Sequence, residues 1–287
     1  MSTENILAKL EKAKAVYESF SQLATEREEL KVVLANLENT NPEFRSIAYE
    51  AVAMAIALKD LNKDNQLYNW RLFMEGPAIL HIQQVHVGLG WALAKLNISP
   101  DTLTSIEYLM RPRVFDGYGY YEGLFRSRTA VKGKKLPAGL TDMTRVWYDQ
   151  GLGRSIWFLS SGEPAKAKEI ISGFDVERRP ALWKGIGHAA GYIGGCDHET
   201  LHELASAAGN NITQLGIGAA MAARGRVHAN FVTPDTELAC QTWWGLSAKE
   251  LASLSEELLP LTIAENIYDI WQKSLEKKFI DKQLVKR

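Results

Sequence analysis

Apolar residues recur every three to four positions along most of this chain, with charged residues between them. The segment from 5 to 37 shows the pattern clearly, since Ile6, Leu10 and Ala13 are separated by lysines and glutamates. This spacing predicts amphipathic helices. Alternation with a period of two, which marks half-buried strands, is almost absent. The pattern therefore predicts an all-α protein with few or no strands.

A Gly-x-Gly pair occurs five times in apolar stretches rich in small residues, and the successive first glycines are 29, 34, 34 and 31 residues apart. A period of about 30–34 residues is typical of a helix–turn–helix unit. We expect each pair to open a helix, and the units to stack as αα-hairpins whose inner helices are spaced by glycine. A divergent copy without glycines occupies 48–54. The pairs begin at Gly88, Gly117, Gly151, Gly185 and Gly216.

The repeat suggests three regions: amphipathic helices over 1–43, the helical-repeat region over 44–259, and a C-terminal helix with a tail over 260–287. A dinucleotide-binding fingerprint would need a third small residue after the pair and a strand before it. Only the unit at Gly185 has that third residue, Ala190, and the preceding segment 176–184 does not have the pattern of a strand. The glycines are therefore interpreted as helix-packing positions.

The composition argues against nucleic-acid binding, metal binding and a membrane span. The 287 residues include 33 Lys and Arg against 34 Asp and Glu, and the basic residues are scattered, so no nucleic-acid partner is expected. Cys196 and Cys240 have no metal-binding or disulfide spacing. No stretch of about 18 apolar residues suggests a membrane span. We expect a cytoplasmic protein without a metal or another cofactor.

Polar residues cluster just before the glycine pairs. His86, Asp116, Asp149, Lys184 and Gln214 each lie one or two positions before a first glycine. If the glycine helices form an inner layer, these side chains would meet at one site. There Glu122 with Asp116 or Asp149 would transfer protons, and His86 or Arg154 would polarise a carbonyl group. The alternative is that the two aspartates are N-caps, which bind the free N–H groups of a helix start.

Two glutamates lie in unusually apolar surroundings. Glu122 is close to Tyr118 and Tyr121, and a carboxyl among aromatic rings tends to have a raised pKa that suits general acid/base catalysis. Glu50 follows Tyr49 on an alanine-rich helix, where Arg154 could be its partner or could hold an anionic substrate group. Both glutamates also have a purely structural interpretation, as hydrogen-bonded or paired core residues. The proposed catalytic set is Glu122, Asp116, Asp149 and His86, and the proposed substrate-binding set is Tyr49, Glu50, Tyr118, Tyr121, Arg154, Trp183 and His188.

A zinc-hydrolase alternative rests on five residues. His198-Glu199-Thr200-Leu201-His202 has the His-Glu-x-x-His spacing, in which two histidines share one helix face. The motif follows a Gly-Gly-Cys-Asp turn, where Asp197 would cap the helix and Glu199 would lie in its first turn. A solvated helix start is the favoured interpretation of these residues.

Several strings together are distinctive. They resemble a bacterial family long catalogued as a domain of unknown function, which is frequently encoded in enediyne and related natural-product gene clusters. The resemblance covers roughly 44–251. The strings are Ala48-Tyr49-Glu50-Ala51-Val52-Ala53-Met54-Ala55, Val85-His86-Val87-Gly88-Leu89-Gly90-Trp91, Asp116-Gly117-Tyr118-Gly119-Tyr120-Tyr121-Glu122-Gly123, Tyr148-Asp149-Gln150-Gly151-Leu152-Gly153-Arg154, and Thr236-Glu237-Leu238-Ala239-Cys240.

The resemblance implies a biosynthetic setting and, for some members, carbon–carbon bond formation without a bound cofactor. The resulting hypothesis is an enzyme that joins carbons by an aldol- or Michael-type addition or a cyclisation. Its substrate would be a largely apolar, unsaturated intermediate, and a second biosynthetic enzyme is a possible partner. The alternative is a non-catalytic helical-repeat scaffold or chaperone of a biosynthetic complex.

Overall fold

The structure, a computed structural model, describes residues 2–26, 29–63, 66–76 and 78–285. It contains fourteen α-helices and no strand within these ranges, so the all-α prediction is confirmed. Six helices form an inner layer: α3 (Pro42–Leu61), α5 (Ile82–Leu96), α6 (Arg111–Phe125), α7 (Asp142–Leu159), α9 (Arg179–Ile193) and α11 (Ile212–His228). The others are α1 (Ser2–Glu26), α2 (Leu30–Glu38), α4 (Tyr68–Glu75), α8 (Pro164–Ser172), α10 (His198–Ala208), α12 (Pro234–Trp244), α13 (Ala248–Glu257) and α14 (Ile267–Val285).

The six inner helices pack side by side in chain order and run parallel. Their contacts rise together in residue number: between α5 and α6, Arg113 donates to Gln83 and Arg126 donates to the carbonyl of Ala94. Between α6 and α7, Gln150 donates to Asp116, and Gly123 faces Ser155 further along. Parallel neighbours of this kind require a return connection on the outside of the layer.

Glycine sets the spacing of these helices. A Cβ atom on the first glycine of a pair would lie closer than 3.0 Å to a carbonyl oxygen of the preceding inner helix, as at Gly151 against Asp116. A Cβ atom on the second glycine would meet the following helix in the same way, as at Gly153 against Leu182. Each pair therefore lets one backbone approach two neighbours, which is why both positions lack a side chain.

The position of the pairs within the helices differs from the expectation. The pairs lie in the middle of helices and do not open them, because α6 begins at Arg111 and α7 begins at Asp142. In α11 the register is also shifted by two residues. Gly218 makes the close approach to the preceding helix, at the carbonyl of Lys184, whereas Gly216 faces the ring of Phe279 in α14.

The outer layer is less regular than stacked αα-hairpins would be. Helix α4 connects α3 to α5, α8 connects α7 to α9, and α10 connects α9 to α11. Between α5 and α6 the chain instead forms a 3-10 turn, Pro100–Thr102, and between α6 and α7 it forms a π-helical turn, Arg128–Lys132. The hairpin repeat thus describes only part of the outer layer.

The inner helices curve into a ring whose two ends, α11 and α3, touch only locally. Arg226 in α11 donates to the carbonyl of Glu43 at the start of α3 over 2.7 Å, and α11 also contacts the 3-10 turn Ile79–His81. At one end of this ring, α14 inserts Tyr268 and Gln272, which bind Gln150 of α7. At the other end α1 packs against α3 and α9.

All eight tryptophans are buried, as are both free cysteines. The tryptophans therefore contribute to the core, and Trp91 also lines the cavity described below. The described helices also include none with the length and apolar character needed to cross a membrane.

Candidate functional site

A cavity of about 370 Å³ lies between the ring of inner helices and α1, and its walls are mainly apolar. It lies near the C-terminal ends of α6, α7 and α9, which contribute Phe125, Phe158 and Ile193. Helix α1 supplies one wall through residues at helical spacing, so the N-terminal helix and the repeat region build the cavity together. The lining residues are Leu7, Leu10, Glu11, Ala13, Lys14, Tyr17, Glu18, Ile47, Glu50, Trp91, Tyr120, Leu124, Phe125, Arg154, Phe158, Tyr192 and Ile193.

The repeat register explains which side chains reach the cavity. Trp91, Tyr120 and Arg154 each lie three residues after the first glycine of their units, and all three line the cavity. Trp91 and Tyr120 were absent from the predicted substrate-binding set, although their shared register was a usable signal. Tyr17 was also missed, because α1 carries no glycine pair and its amphipathic pattern does not distinguish a cavity wall from ordinary core.

Glu50 is the carboxyl group of the inner helices that lines this cavity. Its side chain makes no hydrogen bond or ion pair to any residue in the described ranges. Burial raises the pKa of Glu50 to about 8, against the opposing effect of the Arg154 charge, and the charge of Asp116 adds to the rise. At neutral pH the carboxyl group is mostly protonated but can still ionise. A group that can both donate and accept a proton near neutral pH is suited to general acid/base catalysis.

Arg154 pairs with Asp116 and not with Glu50. Its Nη1 donates to Asp116 Oδ1 over 2.6 Å, and Gln150 Nε2 donates to the other carboxylate oxygen over 2.6 Å. The guanidinium also stacks over the ring of Tyr120, 4.3 Å from its centroid. The sequence had suggested Arg154 as the partner of Glu50, and the structure corrects this, since Asp116 occupies that role.

None of the four proposed catalytic residues lines the cavity, and Asp149 and His86 face other parts of the protein. Asp149 accepts two hydrogen bonds from Arg178, of 2.5 and 2.9 Å, and both side chains are buried. His86 lies edge-on against Trp70 of α4, and its Nδ1 is 2.7 Å from the carbonyl oxygen of Ile82. Successive residues on a helix are about 100° apart, so a side chain two positions before the glycine points away from the face used by Asp116. The expected convergence of His86, Asp116 and Asp149 is therefore wrong.

The N-cap interpretation of the two aspartates is wrong as well. Asp116 and Asp149 lie within α6 and α7, whose starts are preceded by Met110 and Thr141. Caps do occur where a polar residue precedes a true helix start. Asp197 accepts a hydrogen bond from the N–H of Thr200, as the sequence predicted.

Glu122 is separated from the cavity residues as well. It forms an ion pair with Arg126 one turn later, near the end of α6. Burial raises the pKa of Glu122, and Arg126 opposes that shift. Tyr118 lies beside Tyr148 instead of in the cavity, and Tyr121 lines a neighbouring groove. The proposed grouping of Glu122 with Asp116 is not found.

Most of the remaining predicted binding residues are buried without lining the cavity. Tyr49 stacks on His81 and donates to Glu38, and Trp183 is buried without lining the cavity. His188 lies three residues after Gly185, in the register of Arg154. Its two ring nitrogens have no hydrogen-bond partner within the described residues, and burial, reinforced by nearby arginines, holds its pKa well below the ordinary value. Of this set, Glu50 and Arg154 line the cavity.

The zinc-type motif lies on the outer helix α10. His198 and His202 are exposed, with ring centroids 6.5 Å apart. Among the residues that the structure describes, no group of three or more His, Cys, Asp or Glu side chains is arranged to hold a metal ion. These histidines contribute nothing to the cavity.

Comparison with known proteins places the chain in a family. Residues 2–279 match the profile described as "Protein of unknown function (DUF1702)". The chain belongs to the DUF1702 family. The match includes α1, so the helix that forms one wall of the cavity lies within the matched residues. No curated protein and no solved structure matched the chain in the same comparisons.

The pKa of Glu50 predicts how stability depends on pH. Below about pH 4.5 the carboxyl is protonated in both folded and unfolded chains, whereas between pH 4.5 and 8 it ionises only in the unfolded chain. Wild-type stability relative to Glu50→Gln should therefore fall as pH rises, by at most about 1.4 kcal/mol per unit, and level off above pH 8. Urea unfolding of both proteins from pH 5 to 9 measures this difference, and a flat difference would mean that Glu50 titrates normally.

Proposed function

We propose that this protein is a biosynthetic enzyme that forms a carbon–carbon bond in a largely apolar, unsaturated small molecule. Acid/base catalysis by Glu50 would drive the reaction, without a bound cofactor. The observation that carries the proposal is an unpaired carboxyl group with a raised pKa on the wall of an apolar cavity. Glu50 thus takes the role that the sequence had suggested for Glu122.

The chemistry requires one group that moves a proton and one that stabilises charge. In an aldol- or Michael-type closure, ionised Glu50 removes a proton next to a carbonyl group, and the carbanion carbon attacks the acceptor carbon to form the new bond. The protonated carboxyl then returns the proton to the acceptor, so the sequence consumes no oxidant or reductant. Arg154 stabilises the oxyanion that develops on the carbonyl oxygen.

Asp116 and Gln150 act through Arg154. Both are buried, and their contacts hold the guanidinium against the ring of Tyr120 at the cavity wall. A planar guanidinium fixed in this way can donate hydrogen bonds to an oxygen without reorganising. We assign them as positioning residues. The natural-product setting rests on the resemblance to families encoded in such gene clusters.

Metabolite analysis by mass spectrometry tests the proposal. The gene is deleted in its native strain, which is then complemented with wild type, Glu50→Gln or Glu122→Gln. We expect deletion and Glu50→Gln to lose the same product and accumulate the same precursor, with at least about a hundredfold loss for the variant. Glu122→Gln should restore the product, because Glu122 pairs with Arg126 outside the cavity.

As a control for folding, the melting temperature and the soluble amount of each variant are measured. Normal product from folded Glu50→Gln would refute catalysis by this carboxyl and would favour a non-catalytic scaffold that needs the chain but not its acid/base group. An equal loss in Glu122→Gln would place the chemistry at the end of α6 instead.

A further inference from the structure

Arg154 has hydrogen-bonding capacity that the protein does not use. Its Nη1 donates to Asp116, whereas Nε and Nη2 make no hydrogen bond to any residue within the described ranges. The side chain is only 5 % exposed, and it lines the cavity. Neither nitrogen is among the fully enclosed donors that lack a partner, so both are open to the cavity, where a ligand can supply the acceptor that the protein does not.

The charges around Asp116 also favour an acceptor that is negatively charged. A second buried guanidinium, that of Arg113, places its Nη1 3.9 Å from Asp116, and this nitrogen has no hydrogen-bond partner among the described residues. Two arginines therefore share one aspartate. Glu50 is mostly neutral at pH 7 and does not balance the second positive charge. A buried charge without a counter-ion is costly, and a ligand carboxylate would supply one.

The shape of the site indicates an elongated ligand. A groove of about 400 Å³ adjoins the cavity, and the two share Tyr17, Glu18, Trp91 and Phe125 in their walls. Both run beneath α1, the cavity from Leu7 to Glu18 and the groove from Tyr17 to Glu26. At 1.5 Å per residue, Leu7 to Thr25 corresponds to about 27 Å.

We propose that the site binds a long-chain carboxylic acid, with the carboxylate at Arg154 and the chain extending past Trp91 into the groove beneath α1. This proposal rests on the proposed function only in treating the cavity as the ligand site. It narrows the substrate class from an apolar molecule to an amphiphile with an acidic head and an extended tail. The carboxylate would take one of the two free Arg154 donors and leave the other for the oxyanion of the proposed reaction. The binding of such a ligand is measurable without any turnover.

The head-group test uses a fluorescent probe, cis-parinaric acid, and its methyl ester on the wild-type protein. We expect the acid to bind at least about tenfold more tightly than the ester, because a buried charge-assisted hydrogen bond is lost with the ester. The double variant Arg154→Gln/Asp116→Asn removes both charges together and should erase this preference. Equal affinity of acid and ester for the wild type would overturn the head-group assignment, whatever the variant does.

The tail test uses competition by octanoate and hexadecanoate against the same probe. Each buried methylene group should strengthen binding about fourfold until the groove is filled. Ser21→Trp fills the groove, since Ser21 lines it. It should weaken hexadecanoate at least about tenfold and octanoate less than about twofold. Ser19→Trp is the matched control, because Ser19 is exposed on the same helix and lines neither space.

The proposal about the ligand and the proposal that Glu50 is catalytic can be refuted independently of each other. If hexadecanoate binds no better than octanoate, or if Ser19→Trp and Ser21→Trp behave alike, the elongated-ligand proposal is wrong even if Glu50 proves catalytic. If the acid binds as expected while Glu50→Gln supports normal product, the ligand class stands and the catalytic role of Glu50 fails. Glu50→Gln should itself change the affinity for the acid less than about threefold, since Glu50 is mostly neutral when the acid binds.

Discussion

Gly153→Ala should lower the free energy of unfolding by about 1–3 kcal/mol, and Gly153→Leu should lower it by more. A Cβ atom at Gly153 would lie closer than 3.0 Å to the carbonyl oxygen and Cα atom of Leu182, which are backbone atoms and cannot rotate away. Helix α9 would have to move away from α7. Because α7 also packs against α6, and α9 against α11, that movement would disturb these neighbours as well.

Gly225→Ala is the matched control. Gly225 also lies within an inner helix, but the nearest atom to its added Cβ would be Tyr192 Cε2, at 3.4 Å. Alanine should there be neutral or stabilise the fold by up to about 1 kcal/mol, because it favours the helix and restricts the unfolded chain. Urea denaturation of the three variants measures the contrast. Equal stability of Gly153→Ala and Gly225→Ala would show that the close approach of α7 and α9 does not depend on glycine.

Arg178→Met should destabilise the protein by about 3–5 kcal/mol, because it leaves the carboxylate of Asp149 buried without its charge partner. Arg178 also donates to the carbonyl of Lys134 and stacks over Phe174, so the single substitution removes several contacts. The double variant Arg178→Met/Asp149→Leu removes both charges and should recover most of the loss.

This pair also separates a structural role of Asp149 from a catalytic one. Denaturant unfolding gives the stability of each variant, and product formation is compared per amount of folded protein. We expect the folded double variant to make normal product, because neither residue lines the cavity. A stable double variant that makes no product would return Asp149 to the catalytic set.

The sequence allowed the inner layer to be predicted, because its signals are local and repeated. A glycine pair recurring every 29 to 34 residues implies helices that approach closely, and the contacts at Gly151 and Gly153 agree with that expectation. Helix boundaries were predicted less well. Glycine is a poor helix former, so the pairs suggested helix starts, whereas tertiary packing places them in mid-helix.

The site was harder to predict because it depends on a single-residue difference in register. Residues one and two positions before a glycine were grouped together, yet Asp116 reaches the interior and Asp149 reaches Arg178 in the other direction. Glu50 was identified as an unusual charge on an apolar helix and Arg154 as its possible partner or an anion-binding residue, and both line the cavity. The contribution of α1 could not be predicted, because an amphipathic pattern shows that a face is buried without showing what it covers.

The contact between Arg226 and the carbonyl of Glu43 has a consequence for how this architecture evolves. An open solenoid gains or loses units at its ends, because each repeat touches only its neighbours. Here the last inner helix returns to the first, so a duplicated or deleted unit would break that junction and change the ring's diameter. Divergence among such proteins is therefore expected to proceed by side-chain replacement at a constant number of inner helices, with length changes confined to the outer connections.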